Sequence, residues 1–315
     1  MYSKLAPVVV FAFRRADHLR KTLTSLSRCI DSAKTDVVIF IDGAKTDAQM
    51  RDVENTFAVA NFAYGFKSCT VHLREENLGL KRNIIEGVST VLSHDDKIIV
   101  LEDDITCSKD FLVYMNKFLN LYEKTNCVWH INGWNYNCQF KSNDEYYFSR
   151  IMNCWGWATW KDRWENLELD PELACKSLGY FEKQRFNCNW TFPFFSQLLG
   201  NAIGVNDTWA IYWYYTIFKH KGLCLSPRYT KSCNIGNDGT GTHSAIQQKY
   251  INEEDFVLVD WSSVQTKFSL QESKMHLKEL ETHFRQLFGM KRRLIGIIKA
   301  LLPFRLSKLM FGRKS

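Results

Sequence analysis

The sequence of 315 residues has few of the residues that interrupt a folded domain, and it has no closely paired cysteines. Five prolines and 16 glycines leave little room for low-complexity linkers, and 45% hydrophobic residues argue against wholesale disorder. The ten cysteines occur singly, without a CxxC pair, which disfavours structural zinc and indicates reduced thiols. We therefore expect a globular protein with one large domain or two small ones.

Targeting and membrane-spanning signals are also lacking. The apolar stretch at 7–13 is followed at once by Arg14, Arg15 and Asp17, without a small-residue cleavage site, which is untypical of a secretory signal. The apolar run near the C-terminus is broken by Lys299 and Pro303, and it falls well short of the ~20 residues that span a bilayer. We expect a cytoplasmic chain.

Acidic residues are absent after Glu281, so the net charge of +7 is unevenly distributed. Eight basic residues lie from Lys291 onward, which leaves a charge of about −1 for the rest of the chain and disfavours a nucleic-acid-binding body. These cations alternate with apolar residues, a pattern that predicts a helix lying on an anionic membrane surface. The alternative is a C-terminal helix docked on the protein's own core or on a partner.

Short β-branched runs alternate with helical patterns through the first hundred residues. Strands are predicted at 8–13, 37–41, 70–73 and 98–101, and helices at 48–59, after an N-cap at Asp17, and after the turn at 77–79. The apolar faces of the first and third helices are predicted to hold Leu19, Leu23, Leu26, Ile84, Ile85, Val88, Val91 and Leu92. This pattern predicts an α/β fold with a doubly wound sheet, whose ligands bind beyond the carboxyl ends of the strands.

The second half is rich in aromatic residues, which cluster at 146–164 and 206–218, and a glycine-rich loop follows at 234–243. These aromatics serve either as core or as the wall of a sugar-binding pocket. No repeat or sharp linker separates the halves. We expect one domain at 1–250, with a nucleotide-sugar-binding half at 1–105 and an acceptor and catalytic half at 106–250, and a helical basic tail at 251–315.

Three consecutive carboxylates, Glu102, Asp103 and Asp104, follow the fourth predicted strand. They repel each other unless a cation or hydrogen-bond donors compensate. On an extended chain Glu102 and Asp104 would share one side and Asp103 the other. One side could then hold Mg²⁺ or Mn²⁺, which need only one or two protein carboxylates beside phosphate and water. The alternative is a solvated acidic turn.

The order of several short segments resembles inverting nucleotide-sugar glycosyltransferases of the GT-A fold. The likeness is to a bacterial branch related to eukaryotic N-acetylglucosaminyltransferase I and to family 2-like sugar transferases. It covers about residues 6–245 and rests on segments 11–15, 40–43, 100–104, 154–160, 206–209 and 226–228. Two features depart from the family pattern: Thr208 separates Asp207 from Trp209, and the tail after about residue 250 has no counterpart.

The resemblance implies a role for each matching residue. Asp104 would bind the divalent metal, Mn²⁺ or Mg²⁺, and Asp207 would be the catalytic base. The donor would be bound by Glu102 and Asp103 at hydroxyls, Arg14 and Asp42 at the nucleoside, Lys81 or Arg82 at the phosphates, Trp157 beside the sugar and His243 at the diphosphate. Gly236, Gly239 and Gly241 would belong to a lid or to a permanently ordered turn.

The implied function is metal-dependent, inverting transfer of a sugar from a nucleotide-sugar, of the UDP type, to a glycan or lipid-linked glycan in cell-surface polysaccharide synthesis. The enzyme would be peripheral on the inner face of the cell membrane. Two alternatives remain. A nucleotidyltransferase would usually carry a glycine-rich basic loop after its first strand, where this chain has Arg14 and Arg15. An inactive carbohydrate-binding protein could retain the same fold.

Overall fold

The computed structural model describes residues 4–136, 138, 140–236, 256–266 and 269–312. The strands are β1 (Val8–Ala12), β2 (Asp36–Ile41), β3 (Ser68–Leu73), β4 (Lys97–Glu102), β5 (Ile105–Cys107), β6 (Val128–Asn132), β7 (Tyr146–Ser149), β8 (Trp157–Trp160), β9 (Leu223–Pro227) and β10 (Ser232–Asn234). The helices are α1 (Ala16–Ser27), α2 (Met50–Ala60), α3 (Gly79–Leu92), α4 (Phe111–Tyr122), α5 (Lys161–Trp164), α6 (Pro171–Ser177), α7 (Tyr180–Phe186), α8 (Phe194–Ala202), α9 (Ala210–Lys219), α10 (Lys274–Leu287), α11 (Met290–Leu301) and α12 (Phe304–Phe311).

A mixed sheet of eight strands in the order β3-β2-β1-β4-β8-β6-β9-β7 forms the centre of the described residues. Strands β1 to β4 are parallel, whereas β8 runs antiparallel to both β4 and β6. Strands β5 and β10 form a separate antiparallel pair below the end of β4. The predicted α/β class with a doubly wound mixed sheet is therefore confirmed.

The central strands are buried on both faces because helices cover both sides of the sheet. Val9 and Phe11 of β1 face one hydrophobic cluster together with Val88 of α3. Val8 and Val10 face the other cluster together with Leu23 of α1. The predicted apolar faces of α1 and α3 are thus the buried ones, except that Ile85 is only partly buried.

The predicted strands and helices agree with the structure to within about two residues at most ends. The N-cap of α1 is an exception, because the helix begins at Ala16 after Arg15, and Asp17 lies inside its first turn. The helix predicted at 48–59 begins as a 3₁₀ turn at Asp47–Gln49 and continues as α2.

The C-terminal segment is attached to the body through buried contacts. Leu277, Leu280 and Phe284 of α10 belong to the main hydrophobic cluster, and Ala300 of α11 is fully buried.

The ammonium of Lys231 and the carboxylate of Asp110 form a buried ion pair of 2.7 Å. The predicted domain boundary at 250 lies outside the described residues.

Candidate active site

The acidic triplet lies where the central parallel strand β4 ends beside β1. Because β4 stops at Glu102, Asp103 and Asp104 lie in the following turn, and the alternation of an extended strand no longer applies to them. Nη2 of Arg15 donates to both aspartates, at 2.9 Å to Oδ2 of Asp104. The expectation that Asp103 faces away from Asp104 is therefore wrong, since both carboxylates face Arg15.

Backbone and side-chain bonds hold the triplet in this arrangement. The hydroxyl of Thr22 in α1 donates to the carbonyl of Asp103 at 2.7 Å. The carbonyl of Asp104 accepts from the amide of Ile235 at 2.8 Å, next to the end of β10. Glu102 accepts a hydrogen bond from the side chain of Trp209. The triplet is thus connected to α1, to the segment after β10 and to the start of α9.

The three carboxylates of the triplet lie near a single guanidinium, that of Arg15, so the cluster contains more negative than positive charge. Burial raises the pKa of Glu102 to about 8, and the nearby carboxylates of Asp104 and Asp103 add to the rise. Burial also raises the pKa of Asp103 to about 7, although Arg15 acts in the opposite direction. Burial disfavours the charged form of Arg15, but the two aspartates outweigh it and raise its pKa. An added cation or hydroxyl donors would favour the ionised carboxylates.

Asp104 has an unused acceptor in this cluster. Its Oδ1 atom is buried and receives no hydrogen bond within the part of the chain that the structure describes. On the other side, a Cβ atom on Gly236 would lie 2.1 Å from Oδ2 of Asp104, so only glycine allows this close approach. A buried carboxylate oxygen without a donor fits Mn²⁺ or Mg²⁺, which prefer oxygen ligands.

The protein supplies few ligands around that oxygen. Within the described ranges, no group of three or more His, Cys, Asp or Glu side chains is arranged to hold a metal ion. A cation at Asp104 would therefore need further ligands from a bound molecule, and phosphate oxygens with water commonly complete such a shell.

Asp207 lies in a loop that the structure holds next to the triplet. Asn201 of α8 brackets this loop, because its Oδ1 accepts from the amide of Thr208 and its Nδ2 donates to the Thr208 hydroxyl, both at 2.9 Å. Two residues after Asp207, Trp209 reaches Glu102. The Asp207 side chain is 73% exposed and forms an ion pair with Lys81 of α3. Asp207 is thus accessible from solvent and held beside a cation.

The tryptophans behind the triplet form a stack. Trp157 lies between the rings of His130, at 5.4 Å, and Trp209, at 5.3 Å, and it is fully buried. It offers no free ring face, which contradicts its predicted place beside a sugar. Trp155 is only partly buried and meets the ring of Trp134 edge-on at 4.6 Å. Trp155 is therefore the tryptophan of this segment that has accessible surface.

Asp42 has a structural role in the described geometry. Its Oδ1 accepts from the amides of Gly43 and Leu78, and its Oδ2 accepts from the amide of Gly79 and from Nδ2 of Asn77, at 2.7–3.1 Å. A carboxylate has about four acceptor positions, so all are in use. Asp42 links the end of β2 to the N-terminus of α3, and a nucleoside contact through it would have to replace one of these bonds.

The other predicted donor-binding residues are not gathered at the triplet. Arg14 is exposed, with its guanidinium 5.9 Å from the ring centre of Phe13. Arg82 forms ion pairs with Glu86, at 2.6 Å, and with Glu76, on the outer face of α3. His243, Gly239 and Gly241 lie outside the described residues. The predicted roles of these residues stay predictions.

Arg15 is the main site residue that the sequence reasoning missed. The resemblance assigns Arg14, the first of the two arginines in the segment at 11–15, to the nucleoside. The chain turns into α1 after residue 13, so Arg15 points at the triplet and Arg14 points to solvent. The requirement for a counter-charge near three carboxylates was the available signal, but it did not distinguish between the two positions.

Comparisons with known proteins find only weak structural similarity. No protein-family model matches the sequence, and no curated protein matches it. Solved structures similar to this chain include TarS 1–349 from S. aureus in complex with UDP-GlcNAc, at 15% identity and a TM-score of 0.29, covering 41% of this chain and 33% of that chain. Another TarS structure has 15% identity and a TM-score of 0.31, covering 44% and 24%.

A further structure of TarS 1–349 has 13% identity and a TM-score of 0.32, covering 49% of this chain and 47% of that one. This chain thus spans between about a quarter and a half of the TarS chains that it matches. Structural similarity this weak supports no conclusion about the activity of this chain. The strand order, with antiparallel β8 inserted beside the strand that carries the acidic triplet, is that of a mixed α/β fold.

Proposed function

We propose that this protein is an inverting glycosyltransferase, which moves a sugar from a UDP-type nucleotide-sugar to a hydroxyl group of a glycan or lipid-linked glycan. One observation carries the proposal: a buried carboxylate oxygen of Asp104, without a donor among the described residues, lies in a triplet that Trp209 connects to the loop of Asp207. An acceptor for a cation and an exposed candidate base are thus held by one structural unit.

Asp104 would hold a divalent cation, Mn²⁺ or Mg²⁺, which when bound would neutralise charge on the diphosphate leaving group. Arg15 keeps Asp103 and Asp104 on one side of the turn, so that both carboxylates face the same space. Glu102 and Asp103 would accept hydrogen bonds from hydroxyl groups of the sugar and ribose. Hydroxyl donors favour ionised carboxylates, which offsets the raised pKa values of both groups.

Asp207 would take the proton of the acceptor hydroxyl as its oxygen attacks the anomeric carbon. The bond to the leaving diphosphate breaks in the same displacement, so the product has the inverted configuration and no covalent glycosyl-enzyme forms. Lys81 lies against Asp207. We expect its ammonium to pair with a phosphate of the donor once Asp207 has taken the proton.

A thermal-shift screen of nucleotide-sugars, with and without Mn²⁺, tests donor binding. A UDP-sugar should raise the melting temperature more with Mn²⁺ than without it, and Asp104→Asn should remove that difference. Asp52→Asn, which changes an exposed carboxylate on α2, is the matched control. If Asp104→Asn keeps the Mn²⁺-dependent shift, Asp104 is not the metal ligand.

The released product distinguishes the alternatives. A glycosyltransferase releases a nucleoside diphosphate from a nucleotide-sugar, whereas a nucleotidyltransferase releases pyrophosphate from a nucleoside triphosphate. An inactive carbohydrate-binding protein releases neither. Detection of pyrophosphate, or of no product with any acceptor, would therefore contradict the proposal.

The proposed compartment is the cytoplasm, where the chain would serve cell-surface polysaccharide synthesis. All ten cysteines lie within the described residues, where no disulfide bond joins them, and Cys69 and Cys127 are exposed thiols. Free thiols support a reducing compartment.

A further inference from the structure

Helix α11 exposes an apolar stripe to solvent. Met290, Leu294, Ile298 and Leu301 recur at helical spacing and are 49–69% exposed. A helix on the surface of a water-soluble domain normally turns such a stripe toward the core. Within the part of the chain that the structure describes, nothing covers this stripe.

The opposite face of α11 is the one that packs on the body. Gly296 and Ala300 are its buried residues, and a Cβ atom on Gly296 would lie 2.8 Å from Cβ of Pro193, just before α8. These small residues allow the close approach of α11 to α8. The rotation of the helix is set by this contact, so the apolar stripe is held outward.

Helix α12 continues the exposed apolar surface after the break at Pro303. Leu306, Leu309 and Met310 recur at i, i+3 and i+4, and they are 46%, 82% and 64% exposed. We call the exposed apolar residues of α11 and α12 the tail surface. Among the described residues no helix is long and apolar enough to cross a membrane.

The charge of these two helices indicates what covers the tail surface. They contain Lys291, Arg292, Arg293, Lys299, Arg305 and Lys308, and the sequence has no acidic residue after Glu281. Lys291, Arg292, Arg305 and Lys308 are exposed beside the apolar residues. Apolar side chains flanked by cations match the interface of an anionic bilayer, where chains enter the acyl region and cations meet lipid phosphates.

A cavity of about 400 Å³ lies between α8 and α11, on the side of α11 that faces the body. Its walls include Leu199 and Ile203 on one side and Ile295 and Phe311 on the other, and Asn206, next to Asp207, lines it too. The cavity separates α11 from the segment that leads to Asp207.

We propose that the tail surface docks this protein on an anionic lipid bilayer. The proposal goes beyond the proposed sugar transfer and does not depend on it. Docking would hold the whole protein at the membrane surface, with the apolar side chains in the acyl region and the cations at the lipid phosphates.

Co-sedimentation of the full chain with vesicles tests the docking. Vesicles of phosphatidylcholine with about 30% phosphatidylglycerol should bind the protein at least tenfold more tightly than phosphatidylcholine alone. Raising NaCl from about 0.1 M to about 0.5 M should weaken the binding without abolishing it, because the apolar contribution persists. No binding to either vesicle, as expected for a surface that instead meets an acidic protein, would overturn the proposal.

The variant Leu294→Gln/Ile298→Gln/Leu309→Gln removes apolar area that is already exposed. It should fold like the parent and bind the anionic vesicles at least tenfold less tightly. Equal binding by variant and parent would overturn the proposal. Because the salt and lipid dependence is measured on the unchanged protein, the proposal stays testable if this variant fails to fold.

The matched control is Met50→Gln/Phe57→Gln/Phe62→Gln, which removes three exposed apolar residues from α2 and the turn after it. It should bind vesicles like the parent, and an equal loss in this control would overturn the assignment to the tail surface. Nucleotide-sugar hydrolysis in the absence of vesicles, measured in parallel, reports on the proposed reaction and should be the same in all three proteins.

Discussion

Replacing Arg15 with methionine removes the cation that lies between Asp103 and Asp104 and keeps most of the side-chain volume. The Arg15 side chain is only 22% exposed, and its guanidinium hydrogen-bonds both carboxylates. In the parent, burial and mutual repulsion already raise the pKa of Glu102 to about 8 and that of Asp103 to about 7. The variant should raise both pKa values further.

The magnitude follows from the linkage between protonation and folding. A neighbouring arginine lowers an aspartate pKa by about 1 to 3, and each such step corresponds to about 1.4 kcal/mol. Carboxyl groups with raised native pKa values bind more protons in the folded state, so their contribution to stability declines as the pH rises through those values. The variant should therefore lose about 1.4–4 kcal/mol more at about pH 9 than at about pH 6.

Urea unfolding at the two pH values measures this difference, in buffer with EDTA so that no metal compensates. Arg14→Met is the matched control, since Arg14 is the exposed neighbour, and its effect should be small at both values. Arg15→Lys keeps the charge and should show a weaker pH dependence than Arg15→Met. If Arg15→Met loses the same free energy of unfolding at both pH values, Arg15 is not the counter-charge of the triplet.

Three further substitutions test other parts of the structure. Asp207→Asn should lower turnover by about 10² to 10⁴ while the donor-induced thermal shift persists, and unchanged turnover would exclude Asp207 as the base. Lys231→Met leaves the buried carboxylate of Asp110 unpaired and should reduce the free energy of unfolding in urea by about 3–5 kcal/mol; a loss below about 1 kcal/mol would contradict a tight ion pair. Asp42→Ala removes the acceptor of two amides at the start of α3 and should cost about 1–2 kcal/mol, with faster hydrogen exchange there; unchanged protection would refute this capping role.

The first half of the fold could be predicted from local sequence patterns, because the spacing of its hydrophobic residues alternates between that of strands and that of helices. Strands β1, β2 and β4 are short β-branched runs, and the apolar residues of α1 and α3 recur at helical spacing. The order of strands beyond β4 could not be predicted in this way. Strand β8 pairs with β4 across about 60 residues of sequence, and no local pattern records such a pairing.

The candidate site was predictable in position and less so in detail. Three carboxylates after a buried strand indicated the triplet, whereas Asp207 was implied only by the resemblance to glycosyltransferases. The side that each carboxylate faces depends on the turn after Glu102. The burial of Trp157 depends on the rings of His130 and Trp209, which belong to other segments of the chain.

By itself the sequence determined the alternation of strands and helices, the place of the triplet at a strand end and the basic, apolar character of the tail. These are local properties, since they depend on the period and type of neighbouring residues. Only the tertiary structure decided that Arg15 faces the triplet, that Lys81 meets Asp207 and that the stripe on α11 faces outward. Each depends on two segments distant in sequence, whose approach is set by the packing of the whole chain.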